Sequence, residues 1–305
     1  MHHEAYEVDI GPHVFPTAKY RLVLERLRAD GRLGGISMHE PGPASDDDIL
    51  LVHTADWVRK FSSGHLTYSE RVALEVPWSA ALVHASWLCA GGSILTGQLA
   101  LENGLAVHLG GGFHHAFSDH GEGFCAINDV AVAIRVLQRD RAIERAIVVD
   151  LDVHHGNGTA AIFADDPSVF TMSFHQERNY PAVKPPGDLD IGLENGTGDE
   201  EYLRLLAEHL PLILDDHRPD VAFYLAGADP YREDQLGGLG LTLAGLRERD
   251  VEVLRAASSR QIPTAVCLAG GYAYRQSDTV SIHAATVEAA MEALSDCAAH
   301  LKAST

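Results

Sequence analysis

Five short apolar runs punctuate this chain, and they constrain its fold more than any other feature. They are Leu105–Leu109, Ala146–Val149, Val169–Ser173, Val221–Ala226 and Thr264–Ala269. Each has the length of a strand and the two-sided apolarity of a strand buried within a parallel sheet. Between them lie stretches with helical period. Asp129–Arg139 is one. Glu200–Asp215 is another, with Tyr202, Leu205, Leu206, His209 and Leu210 on one face. Thr242–Ser259 opens on Thr242 as N-cap and carries Leu243, Leu246, Val253 and Leu254. Ser281–Ala299 is Ala-rich and makes a last helix. Strands alternating with helices predict an α/β fold: one open parallel sheet flanked by helices on both faces. No Pro/Ser-rich linker divides the chain, so residues 1–305 are expected to form a single domain. Pro181–Gly198 has three prolines and four glycines and reads as a long surface loop near the site.

Val76–Leu101 contains no Asp, Glu, Lys or Arg, a length that could cross a bilayer. Its Pro, His, Gln, Ser and Gly residues favour a buried helix packed through small side chains, and no membrane span is expected. The net charge of −20 argues against nonspecific binding to nucleic acid or anionic membranes, and is compatible with a cationic substrate. Cys89, Cys125, Cys267 and Cys297 form no CxxC pair, which fits a reducing compartment. The first residues show no basic stretch followed by an apolar one, so a cytoplasmic location is expected.

The residues just past the end of each run carry chemistry. After Leu109 come three glycines, Phe113, His114 and His115; after Val149 come Asp150, Asp152, His154, His155 and Asn157. Phe174 and His175 succeed Ser173, Asp229 succeeds Gly227-Ala228, and Tyr272 succeeds Gly270-Gly271. Ligands of open parallel sheets bind outside the carboxyl ends of the strands. Asp152 and His154 offer a carboxylate and an imidazole, a pairing that suits Zn²⁺, Fe²⁺ or Co²⁺ better than Mg²⁺. A third ligand must come from elsewhere, and Asp229 is the best candidate. The same DxDxH pattern also fits a capped turn with solvated carboxylates. His114 and His115 read either as loop histidines or as a dyad able to activate a water and protonate a leaving amine. Tyr272 reads either as a packed aromatic or as an oxyanion donor.

As a set these motifs resemble the zinc-dependent histone deacetylase family, which has the arginase/deacetylase fold. The motifs are GGGFHHAFSDHGEGFCAIND (110–129), VDLDVHHGNGT (149–159), SFH (173–175), AGADPYREDQLGGLGLT (226–242) and AGGY (269–272). HVFPTAKYRLVLERL (13–27), LLVHT (50–54) and AGGSILTGQLALENG (90–104) resemble class IV deacetylases and bacterial histone deacetylase-like amidohydrolases. The resemblance implies Asp152, His154 and Asp229 as ligands of Zn²⁺, with Fe²⁺ as the alternative. It implies His114 and His115 as the catalytic dyad, oriented by Asp150 and Asn157, and Tyr272 as the residue that polarises the scissile carbonyl. Gly123, Phe124 and Tyr180 are implied as walls of an acyl-lysine tunnel. A structural K⁺ is implied near Asp150, Asp152, His154, Ser173 and Phe174. Asn157 departs from the Asp of class I enzymes. Only Met1-His2 precedes the segment matching His3–Tyr6, where relatives carry a short first strand.

The resemblance therefore implies hydrolysis of N-acyl-lysine amides, on peptides or proteins, by metal-activated water. An acetylpolyamine amidohydrolase and a long-chain fatty deacylase are the alternatives on the same fold. A non-catalytic acyl-lysine binder is the remote one. Arginase-like chemistry is disfavoured because Pro230, Tyr231 and Arg232 come after Asp229, with no second Asp two residues on. Physiological substrate and oligomeric state are not legible. Cys125 reads as a small buried residue, Ser45-Asp46-Asp47-Asp48 as a helix cap, and His2, His3, His209, His217 and His300 as surface residues.

Overall fold

The computed structural model describes residues 1–303, and side chains to residue 295; those of Cys297 and His300 lie outside the described set. Six strands form one sheet: β1 (Leu105–His108), β2 (Ala146–Asp150), β3 (Val169–Gln176), β4 (Leu189–Leu193), β5 (Val221–Leu225) and β6 (Thr264–Cys267). Ten α-helices accompany them among the described residues. They are α1 (Lys19–Ala29), α2 (Asp46–Ile49), α3 (Ala55–Ser63), α4 (Tyr68–Leu74), α5 (Ala80–Asn103), α6 (Asp129–Arg139), α7 (Asn157–Phe163), α8 (Asp199–His217), α9 (Leu243–Ser258) and α10 (Gln276–Ala303).

Every strand pairing is parallel, in the order β1-β6-β5-β2-β3-β4. Successive residues of β2 face opposite sides of the sheet. Ile147 and Val149 join a core with Tyr202, Leu206, Leu210 and Leu214 of α8, Leu246 and Val253 of α9, and Ile282 of α10. Val148 points the other way, into a core with Ala100 of α5, Val130, Ile134 and Leu137 of α6, and Phe163 of α7. The sheet is thus covered on both faces, which is why its central strands read as unbroken apolar runs.

The sixth strand corrects the reading of Pro181–Gly198 as a loop. β4 lies inside that segment, pairing Leu189–Leu193 with Met172–Gln176. It is an edge strand whose residues alternate between half-buried and exposed before Leu193. Edge strands keep one side wet and so lose the apolar signature of central ones. His217 is a second correction. It is buried, with Nε2 2.9 Å from the Ala146 carbonyl and Nδ1 3.0 Å from Arg145 Nη2. At the other sheet edge, Met1 runs beside β1: its amino group donates to Val107 O at 2.5 Å and its carbonyl accepts from Leu109 N at 2.8 Å.

By length and apolarity α5 could cross a membrane. Here its glycines serve packing. A Cβ on Gly91 would overlap the Gly42 carbonyl, and one on Gly97 would press on Leu137 of α6 and Phe223 of β5. Ser45 caps α2 through a capping box with Asp48.

The strand order also locates a crevice. The chain leaves β2 toward β3 on one side and leaves β5 toward β6 on the other, although β2 and β5 are neighbours. Adjacent strands whose connections diverge in this way open a gap at their carboxyl ends, where ligands of open α/β sheets bind.

Candidate active site

The gap between β2 and β5 is filled by acids. Asp150 ends β2, opposite Leu225 of β5 and Ser173 of β3. Its Oδ1 accepts the Asp152 N–H at 3.1 Å, and Asp152 Oδ1 in turn accepts the His154 N–H at 3.0 Å. The DxDxH segment is therefore a capped turn, and that turn presents two potential ligands. Asp229, beyond the end of β5, accepts the Val153 N–H through Oδ1 at 2.9 Å. One ligand atom each from Asp152, His154 and Asp229 lies within 4.8 Å of the others, and all three residues are buried.

Three observations show that this trio suits a cation. Asp229 Oδ2 is buried and has no hydrogen-bond partner among the described residues. His154 Nδ1 lies 3.0 Å from Asp152 Oδ1 and 3.5 Å from Asp229 Oδ2, so its protonated form stands between the acids as a cation would. Gly270 closes the cradle, because a Cβ there would overlap Oδ2 of both Asp229 and Asp152. Burial opposes charge on His154, but the hydrogen bond to Asp152 and the nearby charge of Asp229 overcome it and lift its pKa to about 10. Burial, then repulsion from Asp152, raises Asp229 to about 7. Two buried carboxylates and one imidazole form an O,O,N donor set fit for Zn²⁺ or Fe²⁺.

Beside the trio the two histidines of the β1–α6 connection lie 4.1 Å apart, centroid to centroid. His114 Nδ1 is 2.6 Å from Asp150 Oδ2; His115 Nδ1 is 2.7 Å from Asn157 Oδ1. Partner charge separates them. Burial disfavours the imidazolium at both, but Asp150 and Asp152 outweigh it at His114 and raise its pKa to about 9. His115 has only a neutral amide behind it. Burial, then the charges of His114 and His154, pushes it well below the ordinary histidine range.

Tyr272 faces the trio from the far side, its ring 6.4 Å from that of His154. Burial and then the charge of Asp152 hold its phenol well above the usual range, so the hydroxyl stays a donor. Phe124 lies 5.9 Å from the Tyr272 ring, and Tyr180 lies 5.0 Å from His115 and 6.3 Å from His154. A Cβ on Gly123 would collide with both His115 and Tyr180, so that glycine sits directly between them. In their midst, Phe15, Gly112, His114, Phe124, Asp152 and Tyr272 line a cavity of about 20 Å³, space for one water-sized group. Outside, Tyr272 borders an open groove of about 470 Å³ with His13, Gln235 and Tyr274. Ser173 and Phe174, with Asp150, Asp152 and His154, lie together and buried at the β2–β3 ends. His155 and His175 fall elsewhere, 4.7 Å from each other, with His155 Nε2 on Asp190 at 3.1 Å.

Sequence reasoning missed four residues that brace this constellation. Lys19 is fully buried and donates to Ala269 O at 2.6 Å, next to Gly270; burial lowers its pKa to about 8 against the pull of Asp229 and Asp152. Arg249, also fully buried, donates to Gly227 O at 2.7 Å and Leu151 O at 3.3 Å, tying together the two loops that bear the acids. Asp234 accepts the Tyr272 N–H at 2.6 Å. Glu122 accepts from Asn157 Nδ2 and, at 3.0 Å, from the Tyr180 hydroxyl. Each lies within or near one of the family motifs, and its charge at a buried or, for Glu122, half-buried position was the only local signal.

The same arrangement of chain has known counterparts. A family model described as the histone deacetylase domain matches residues 13–288. The chain is 42% identical over 293 residues to an uncharacterized protein of Picosynechococcus sp., covering 96% of this chain and 98% of that one. It is 33% identical over 269 residues to Histone deacetylase 2 of Arabidopsis thaliana, covering 85% and 70%. It is 36% identical over 216 residues to a probable deacetylase of Methanothermobacter thermautotrophicus, covering 65% and 63%. The crystal structure of the HDA15 HD domain matches with a TM-score of 0.78 over 96% of this chain and 90% of that one; at 23% identity this is a likeness of fold.

Proposed function

The chain belongs to the histone deacetylase family, and from that membership and the site geometry we propose that it hydrolyses N-acyl-lysine amides with a zinc ion held by Asp152, His154 and Asp229. It is a hydrolase of that family, with residues 1–305 as one catalytic domain. Bound there, Zn²⁺, or Fe²⁺ in its place, supplies a Lewis acid that polarises the amide carbonyl and acidifies a water.

The chain's own groups then have separate tasks. His115 donates Nδ1–H to Asn157, which leaves Nε2 bare to take a proton from the attacking water and return it to the leaving amine. His114 Nδ1 is held by the Asp150 carboxylate, which orients the ring toward the reacting water and makes it more basic. The Tyr272 hydroxyl donates to that oxyanion. Phe124 and Tyr180 flank the lysine stem, and the groove outside Tyr272 leaves room for the rest of a peptide. K⁺ at the β2–β3 ends, near Asp150, Asp152, His154, Ser173 and Phe174, would be structural.

The narrow space of about 20 Å³ among His114, His115, Phe124, Asp152 and Tyr272 supports acetyl rather than a long fatty chain as the acyl group. A second substrate class is worth testing: Glu75 and Glu122 stand close together beside the Phe124 turn, two acids that could meet the extra amines of an acetylpolyamine. The observation that carries the reading is Asp229 Oδ2, a buried carboxylate oxygen that no described donor satisfies and that a cation would. The test is to strip the purified protein with chelator and assay acetyl-lysine peptide, acetylspermidine and myristoyl-lysine peptide after restoring Zn²⁺ or Fe²⁺. Acetyl-lysine hydrolysis should vanish and return. Failure on every acyl amide with both metals would overturn the reading.

A further inference from the structure

Asn157 raises a problem of orientation. Its side-chain carbonyl and amino ends have the same shape, yet only the carbonyl end leaves His115 with a bare Nε2. Were the amide reversed, its N–H would face Nδ1, the ring proton would move to Nε2, and the base would be lost. Asn157 is 2% exposed, so no bulk water settles the matter. What stands on its other side does. Glu122 receives the Asn157 Nδ2–H, and a carboxylate can only accept. Its acceptor-only character forces the amino end outward and the carbonyl end toward His115.

The backbone fixes Glu122 for this task. Glu122 and Cys125 exchange both backbone hydrogen bonds, at 3.0 and 2.9 Å, around Gly123 and Phe124. Both central residues have positive φ, +54° and +70°. That turn aims Glu122 at Asn157 while setting Phe124 on the channel wall. The same Oε1 accepts the Tyr180 hydroxyl, so one carboxylate reaches both the dyad and the opposite wall.

We propose that Glu122 is a positioning residue that sets the tautomer of His115 through Asn157. The inference rests on the dyad reading above, but it makes its own claim: the charge absent at position 157 is supplied one side chain further out. An Asp at that position would accept with either oxygen and would not need Glu122.

The test combines Glu122→Met, which removes the acceptor, Glu122→Gln, which keeps one, and Asn157→Asp. With Asn157 in place, Glu122→Met should lower kcat about 10- to 100-fold, no more than the lower end of what a general base contributes because a share of the rings keeps the working tautomer, with KM changed less than about twofold. Glu122→Gln should lose no more than about threefold. In the Asn157→Asp background, Glu122→Met should cost less than about twofold, because the orientation problem is gone. An equal loss in both backgrounds, or wild-type kcat in Glu122→Met, would overturn the proposal. Ring ¹⁵N NMR of His115 gives a readout independent of turnover: Nδ1–H in the wild type, and a mixture or Nε2–H in Glu122→Met. An unchanged Nδ1–H also overturns it. Should the Met variant not fold, Glu122→Leu, which likewise offers no acceptor, carries the same expectations. If the wild type hydrolyses nothing, the hydrolase reading fails, and NMR still decides the role of Glu122.

Discussion

Tyr272 contributes one hydroxyl at a position where its phenol cannot ionise near neutral pH. Removing only that oxygen in Tyr272→Phe should lower kcat about 10²–10³-fold, the cost of one oxyanion donor, with fold and metal content intact. Steady-state kinetics with metal analysis checks it, and a variant as fast as wild type removes Tyr272 from the mechanism. His154 makes a second residue-scale prediction. Its pKa of about 10 without metal means that it is protonated across neutral pH. A cation must displace that proton, so metal affinity should rise with pH below about 10 and fall as pH drops, with at least one proton released per ion near pH 7. Calorimetry in buffers of different ionisation enthalpy measures the release; a pH-independent affinity would contradict it. Residues such as Asp152, His154 and Asp229 were legible in the sequence because their motifs stand at strand ends. Glu122 and Lys19 were not. Their partners lie 35 and 250 residues away, and a charge acquires such a role only from what folding sets beside it.

Elements differ in how openly they announce themselves. Central strands are apolar on both faces and helix α6 has its full period, so both were readable from local sequence. β4 was not, because an edge strand shows only part of its pattern and this one contains Asp190 and Gly192. His217 at the end of α8 was misread because the pocket that buries it is built by β2. Two glycines test what the elements do. Gly270→Ala, in the turn after β6, would drive a methyl group into both carboxylates and should cut metal occupancy more than about tenfold while leaving the fold cooperative. Gly91→Ala, in α5, would press on the Gly42 carbonyl and should instead cost about 1–3 kcal/mol of stability, the range for overpacking, with metal affinity little changed. Metal titration and denaturant melts separate the two outcomes. Equal effects on both readouts would mean that the site and the scaffold are not separable.

At the scale of the whole molecule, metal binding and folding are linked. The ligands come from loops beyond β2 and β5, so a cation should stabilise the native state by about 4 kcal/mol at a thousandfold excess over Kd. At about 2 °C per kcal/mol, Tm should rise by about 8 °C with saturating Zn²⁺ and fall back with chelator. No shift would speak against a preformed site. The excess of acids, −20 overall, did not identify a substrate; what marked the family was where a few acids and histidines stand. By itself the sequence determined the alternation of strands and helices, the motifs that mark the family, and which side chains stand at the strand ends. These are legible because burial on both faces, helical period and turn chemistry act between near neighbours. Only the tertiary structure decided that β2 lies beside β5, bringing Asp229 to Asp152 and His154, and that Glu122 closes on Asn157 and Tyr180. Strand order and carboxylate partners depend on how distant segments pack, and no local pattern encodes that distance.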